Sequence, residues 1–348
     1  MNLRVNALLK LREKLLPFLK DDCLNHLPND SFYDKGKSIV LNAKHYNRWF
    51  LEDQVIFALQ SWANALEHKN LEKWLHDYVI NEPKTPKKVG LILAGNIPLV
   101  GFHDVLTTFI SGHIALIKLS SQDKFLTPWL LESLRNEFPE FAYQFEFVER
   151  LSNFDAVIAT GNDNSASYFD YYFSKVPNII RRNRNSVAIL TGEESAEELM
   201  ALGQDIFQYF GMGCRNVSKI YVPENYNFKP LFDALLPFES FLMIEKYGSN
   251  YDYNKAVFLM SNFKIMDTGF LTLKEDDRFS SPISTLFYSF YSTLEEVYKH
   301  LEKNKDKIQC VVSKYSKNNF ITFGQTQSPE LWDYADGENT LKFLLALT

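Results

Sequence analysis

The stretch VGLILAGNIPLVGF (89–102) decides the fold. Its first six residues form an uninterrupted apolar run, the pattern of a strand buried on both faces of a parallel sheet. Gly95-Asn96-Ile97-Pro98 breaks the run, and the pattern behind it is helical to about Ser111. A buried strand feeding a turn and then a helix opens an α/β unit, and the chain repeats it. ALIKLS (115–120) is the next strand and FLTPWLLESLRNEF (125–138) the next helix. FEFVE (145–149), DAVIATG (155–161) and SVAILTG (186–192) continue the strand series, with helical stretches between the last two and after them. A helix over 194–210 leads to SKIYVP (218–223), and further strands are expected at AVFLM (256–260) and around IQCVVS (308–313). The fold class is α/β, with a largely parallel sheet.

Upstream of this region, residues 1–78 repeat apolar positions every three or four residues with charges between, so they read as helices. The first of these puts Leu8, Leu11, Leu15 and Leu19 on one face, and charges interrupt it too often for a signal peptide. NEPKTPKK (81–88), polar with two prolines, is a connector.

The 348 residues suffice for about two domains. Apolar residues make up 46% and charged residues 23%, which excludes disorder and disulfide scaffolds. Aromatics reach 15%, so rings line the core. A net charge of −6 removes nucleic-acid backbones as partners. No run is long and apolar enough to cross a bilayer. Cys23, Cys214 and Cys310 are too scattered for a disulfide framework or a zinc site, so no metal is expected and a reducing cytoplasm is the expected compartment. The Gly-x-Gly-x-x-Gly, Walker A, His-Glu-x-x-His and Gly-x-Ser-x-Gly sequences are all missing.

Four stretches carry chemistry. In FGMGCRNVSKIYV (210–222), Gly211 and Gly213 leave the backbone around Cys214 uncrowded, and Arg215 would favour a thiolate. The competing reading is a small buried hydrophobe. In AGNIPLVGF, Asn96 follows a buried strand at the edge where open α/β sheets bind ligands. Its amide would donate to an oxyanion, or Asn96 is a turn former or helix cap. In LIKLSSQD (116–123), Lys118 ends a strand and would bind phosphate or ribose, or merely reach water. In VIATGND (157–163) a strand runs through Thr160-Gly161 into a helix whose first N–H groups would cradle a phosphate.

Taken in order, strand-Asn, strand-Lys, strand-Thr-Gly and Gly-x-Cys followed by Ser-Lys-Ile-Tyr-Val resemble the aldehyde dehydrogenase superfamily, and within it the acyl-CoA reductases related to LuxC. The resemblance runs through roughly residues 89–224; SSPIS (280–284) and FGQTQSPELWD (323–333) also look like that subfamily. It implies an aldehyde dehydrogenase-like fold. Residues 1–192 would hold the N-terminal helices and a nucleotide-binding domain, and 193–322 a catalytic domain with the nucleophile. A tail, 323–348, would pack back on the cofactor domain. It makes Cys214 the nucleophile and Asn96 the oxyanion donor, partnered by the backbone N–H of Cys214. Lys118 would contact the adenosine ribose, and Thr160 and Gly161 the pyrophosphate, with Asn162 where a Ser usually follows. In the second domain Glu275 or Asp277 of LKEDDRFSSP would bind the nicotinamide ribose.

Two departures refine this. NAD-preferring members usually place a Glu three residues after the strand Lys, and here that position is Ser121. With no carboxylate to repel a 2′-phosphate, and Lys118 or Lys124 to pair with it, NADPH is expected over NADH. Hydrolytic members carry a general-base Glu in a stretch that RRNRNS (181–186) matches here, with Arg181 at the Glu position. Deacylation by water should then be slow. The three arginines read equally as a solvated basic cluster or a phosphate site, and His103 and His113 as packing or capping residues. The implied activity is NADPH-dependent reduction of an acyl thioester, acyl-CoA or an acyl carrier, to an aldehyde. The reverse, CoA-acylating direction and a non-catalytic scaffold subunit of an acyl-transferring complex are the alternatives, with a homo-oligomer or a partner enzyme as possible company.

Overall fold

The structure, a computed structural model, describes residues 2–315 and 320–347. Its contacts divide the chain into two compact units, Met1–Arg182 with Pro329–Thr348, and Asn183–Ser328.

The first unit opens with four helices, α1 (Asn2–Leu15), α2 (Ser31–Tyr46), α3 (Glu52–Ala65) and α4 (His68–Leu75). Leu8, Leu11 and Leu15 of α1 are fully buried, each worth about 1.5–3 kcal/mol by area. Leu19 falls beyond the helix, at the end of a short 3₁₀ turn, Leu16–Leu19, that contains Pro17, and is exposed. Then come β1 (Lys88–Ile92), α5 (Phe102–Ile110), β2 (Ile114–Lys118), α6 (Leu126–Glu137), β3 (Phe145–Phe147), β4 (Ala156–Thr160), α7 (Asp163–Phe173) and β5 (Asn178–Arg181). The strands form one parallel sheet in the order β3-β2-β1-β4-β5. β1 lies at its centre, with Val89, Gly90 and Leu91 buried, and its neighbour β4 is buried from Ala156 to Ala159. The chain order reverses between β1 and β4, so loops leaving these neighbours diverge and open a crevice at the carboxyl edge.

The second unit contains β6 (Asn185–Ile189), α8 (Ala196–Phe207), β7 (Val217–Pro223), α9 (Lys229–Leu235), α10 (Glu245–Met260), β8 (Ile265–Asp267), β9 (Thr272–Glu275), β10 (Thr285–Tyr291), α11 (Leu294–Lys303) and β11 (Ile308–Ser313). Its sheet runs β11-β6-β7-β10-β9-β8, parallel except for the β8–β9 pair. A Ser195–Glu198 capping box starts α8. The chain returns to the first unit as α12 (Thr340–Leu345).

Three sequence expectations change. AVFLM (256–260) is the last turn of α10, whose buried face is Tyr247, Tyr251, Asn254 and Phe258, a helical spacing; the other apolar residues there face solvent and mimic a strand run. The division falls before β6 rather than at 192, because β6 pairs with β7 and β11 and not with the first sheet. Residues 323–328 stay with the second unit and 329–348 join the first. His103 Nε2 donates to Leu331 O at 2.9 Å and His113 Nε2 to Leu344 O at 3.0 Å, fastening that segment. Burial pushes both imidazoles below their usual pKa.

Candidate active site

In the first unit the candidate groups gather at the carboxyl edge of the sheet. The register sets Ile92 of β1 beside Lys118 of β2 and beside Ala159 of β4, so the three strand ends lie level. Beyond β1, Leu93 N–H donates to Lys118 O at 3.1 Å, and the chain turns at Gly95. A Cβ at Gly95 would stand 2.5 Å from Ser120 Oγ, so only glycine lets this loop lie against the loop after β2. Asn47 Nδ2 donates to Gly95 O at 3.3 Å. Asn96 is half-buried, and it does not cap α5, whose N-cap is Gly101. Leu99 then adopts a left-handed φ of 57°, its N–H donating to Asp123 Oδ2 at 2.9 Å.

Lys118 is half-buried, while Ser121 and Lys124 are exposed beyond it. Thr160 ends β4 half-buried. A Cβ on Gly161 would lie 2.8 Å from Ser165 Cβ, so glycine is what allows α7 to start directly on the strand end. Asn162 caps α7, its Oδ1 accepting from Ser165 N at 2.8 Å.

The arginines of RRNRNS do not act as one group. Arg181 is buried and forks onto Asp104, with Nη2–Oδ1 at 2.8 Å, and also donates to Thr340 Oγ1 at 3.0 Å. Arg182 pairs with Asp170 at the surface, and Arg184 donates to the Lys305 and Ile308 carbonyls. These bonds replace both the solvated cluster and the phosphate site as the description of this stretch.

In the second unit Cys214 is exposed, whereas Cys23 and Cys310 are buried. Its turn precedes the amino end of β7. After α8 the backbone passes through three successive left-handed residues, Tyr209 (φ 52°), Phe210 (φ 59°) and Gly211 (φ 76°). Such angles are costly for bulky residues and persist only where surrounding structure enforces them; here both rings are buried. Asn216 clamps the turn. Its Oδ1 accepts from Gly213 N at 2.8 Å, and its Nδ2 donates to the carbonyls of Gln208 (2.7 Å), Asp205 (3.1 Å) and Ile206 (3.4 Å). Cys214 O accepts from Ser186 Oγ at 3.0 Å. Arg215 Nε donates to Thr326 O at 2.7 Å, and buried Asp205 accepts from Gly324 N, Thr326 N and Thr326 Oγ1. The FGQTQ segment thus docks beside the Cys214 turn.

Glu275 ends β9, exposed, in register with Tyr288 of β10. Because β7, β10 and β9 are parallel, this is the opposite end of the sheet from Cys214. The chain then doubles back along β7: Lys219 Nζ donates to Asp276 O at 2.6 Å, and Ser218 Oγ to Phe279 O at 2.7 Å. Asp276, the middle acid of the EDD run, binds Lys274 Nζ at 2.5 Å and Arg278 Nη2 at 2.7 Å, and these cations hold its carboxyl far below the usual range. Burial of Lys219 lowers its ammonium to about 8. Asp277 is exposed in the returning loop.

Sequence reasoning missed Asp123, Asp205, Asn216, Lys219 and Asp276. Only Asn216, two residues after the cysteine in a Gly-rich turn, gave a usable signal. Among the described residues no group of three His, Cys, Asp or Glu side chains could hold a metal ion, and no helix is long and apolar enough to cross a membrane.

Comparison with known proteins follows the same lines. Aldehyde dehydrogenase 21 from Physcomitrella patens, solved with the reaction product succinate, superposes with a TM-score of 0.63 at 13% identity, covering 91% of this chain and 73% of that one. The substrate-bound AldH of Staphylococcus aureus gives 0.53 at 17%, covering 92% and 77%. An aldehyde dehydrogenase from Bacillus cereus, solved with NAD+, gives 0.56 at 14%, covering 91% and 72%. At such identities the likeness establishes the fold. No curated protein matches the chain. The family described as acyl-CoA reductase (LuxC) matches residues 1–224. With the aldehyde dehydrogenase-like fold on which its sequence is laid out, the chain belongs to the acyl-CoA reductase (LuxC) family of oxidoreductases.

Proposed function

We propose that this protein reduces an acyl thioester, a fatty acyl-CoA, to the aldehyde, with Cys214 as acyl acceptor and NADPH as hydride source. The observation that carries the reading is the Cys214 turn: it bears the one exposed cysteine of the three, clamped by Asn216 and preceded by strained backbone at Tyr209 and Phe210. A buried structural cysteine would need none of this.

Cys214 as thiolate attacks the thioester carbonyl, and the Asn96 amide with the Cys214 backbone N–H donates to the oxyanion. The carbon–sulfur bond to coenzyme A breaks, the thiol leaves with a proton, and the acyl group remains on Cys214. When bound, the reduced nicotinamide nucleotide supplies the hydride for the next stage. The chain then loses its thiohemiacetal by breaking the Cys214 carbon–sulfur bond, which frees the aldehyde and restores the thiolate.

The carboxyl edge of the first sheet suits a dinucleotide. Lys118 and Ser121 at the end of β2 would hold the adenosine ribose and its 2′-phosphate. Thr160, Gly161 and Asn162, with the first N–H groups of α7, would hold the pyrophosphate. Asp277, in the loop that doubles back along β7, would bind the nicotinamide ribose; Glu275 lies at the opposite end of the sheet from Cys214 and drops out of that role, and Asp276 is already committed to Lys274 and Arg278. The exposed hydroxyl of Ser121 supports NADPH over NADH. Arg181, buried on Asp104, offers no base to activate water, which supports transfer to hydride over hydrolysis.

The test is aldehyde formation from a long-chain acyl-CoA with NADPH or NADH. The parent should make aldehyde with NADPH and Cys214→Ala should make none. Ser121→Glu should lower kcat/KM for NADPH by at least ~10-fold through like-charge repulsion. Equal turnover by Cys214→Ala would end the thioester mechanism, and an unchanged Ser121→Glu the cofactor assignment.

A further inference from the structure

The loop that carries Asn96 rests on a group that a loop of this kind does not need. Asp123 is 7% exposed, and its carboxylate accepts two backbone N–H groups: Leu99 at 2.9 Å, and Leu126, the first residue of α6. A neutral Ser or Thr hydroxyl would meet the Leu126 N–H with a smaller desolvation cost. The second bond is the distinctive one, because it reaches out of the β2–α6 loop to Leu99, three residues past Asn96. Leu99 is left-handed and 2% exposed, so an unpartnered N–H there would be buried and unsatisfied. Asp123 is itself fixed, its N–H donating to Ser120 O at 3.3 Å, and the Ser120 side chain is the surface on which Gly95 lies. Asn96 is therefore bracketed by Gly95 on Ser120 and by Leu99 on Asp123. Burial raises the Asp123 carboxyl to about 6, so at neutral pH the ionised form is kept against a desolvation penalty, a pattern common at functional sites.

We propose that Asp123 is the positioning residue for Asn96: by holding the Leu99 N–H it fixes the short loop from which the Asn96 amide meets the oxyanion. This rests on the reading of Asn96 as the donor for acylation of Cys214.

The experiment compares the full-length parent with Asp123→Ala, Asp123→Leu, Asp123→Asn, Asn96→Ala and the Asp123→Ala/Asn96→Ala pair. Amide hydrogen exchange over residues 93–101 is read without substrate. Single-turnover acylation by myristoyl-CoA is followed by intact mass across concentrations, which separates maximal rate from half-saturation. Asp123→Ala should expose 93–101 to exchange and slow maximal acylation at least ~10-fold at unchanged half-saturation. Asp123→Leu, which fills the site without an acceptor, should do the same if the alanine variant fails to fold. Asp123→Asn keeps one acceptor for Leu99 and should recover most of the rate. The double variant should be no slower than Asn96→Ala, since Asp123 acts through Asn96. Parental acylation by Asp123→Ala or Asp123→Leu, or full additivity in the double variant, overturns this role alone. No adduct on the parent protein overturns the proposed function and this role with it.

Discussion

The turn under Cys214 and the loop under Asn96 both place a candidate side chain on irregular backbone, and they are held by opposite chemistry. Asn216 fixes the cysteine's turn with a neutral amide whose oxygen and nitrogen bond four backbone groups. It is 2% exposed and fully engaged, so the clamp stabilises the fold and is indifferent to pH. The strain it opposes sits in Tyr209 and Phe210, whose buried rings hold the left-handed backbone in place. Asp123 fixes the Asn96 loop with a buried carboxylate on two N–H groups, which the site would rather keep protonated. A neutral clamp gives permanence; an ionisable one exchanges some stability for a stronger, charge-assisted hold.

The largest expected effect breaks the first clamp. Asn216→Ala leaves one N–H and three carbonyls at the cysteine's turn without their partner, and should lower stability by about 3–4 kcal/mol. Denaturant unfolding would measure it, and a loss under about 1 kcal/mol would mean that the buried rings, not Asn216, hold the turn.

Next comes the pH response that should separate the two clamps. With its pKa raised from 3.8 to about 6, Asp123 stabilises the folded state more when protonated than when ionised. Its contribution is fully present below about pH 4 and lost as pH rises through about 6, a swing approaching ~3 kcal/mol. Asp123→Asn removes the titration, so the variant should gain on the parent between pH 4 and 7 in paired unfolding curves. A constant difference across that range would show that the carboxylate pays no desolvation penalty. Asn216→Ala should show no such pH trend relative to the parent.

A smaller effect probes the packing of the Asn96 loop. Gly95→Ala drives a methyl group into Ser120 and should cost about 1–3 kcal/mol. Adding Ser120→Gly removes the obstructing Cβ and should restore most of it. Failure to restore would place the constraint at the Asp123 backbone nitrogen instead, which lies 3.2 Å from the added carbon. The smallest effect is at Arg182: exposed and paired with exposed Asp170, its alanine variant should stay within about 0.5 kcal/mol of the parent in the same unfolding assay.

What was legible in the sequence follows the same division. β1, β2, β4 and β6 announce themselves as continuous apolar runs because their middle residues are buried on both faces of the sheet. β9 does not, because TLKE ends in a lysine and a glutamate, and its buried Lys274 is affordable only through Asp276. AVFLM misled because a helix with apolar residues on its solvent side looks like a strand. At the site, glycines marked the Cys214 turn, and strand ends marked Asn96, Lys118 and Thr160. Asp123 in a loop, Asp205 in α8 and Arg181 at the end of β5 were unreadable, since a polar residue looks solvated until its partner is known. Those partners lie 24, 119 and 77 residues away.

The central claim is that Cys214 carries an acyl group which passes to hydride and resists water. Intact mass of the protein mixed with a long-chain acyl-CoA, followed over time with and without NADPH and beside Cys214→Ala, tests it most directly. The account predicts a single acyl adduct, absent from Cys214→Ala, that persists in buffer and discharges as aldehyde when NADPH is added. An adduct that survives in Cys214→Ala, or one that hydrolyses to the free acid as fast without NADPH as with it, would contradict it.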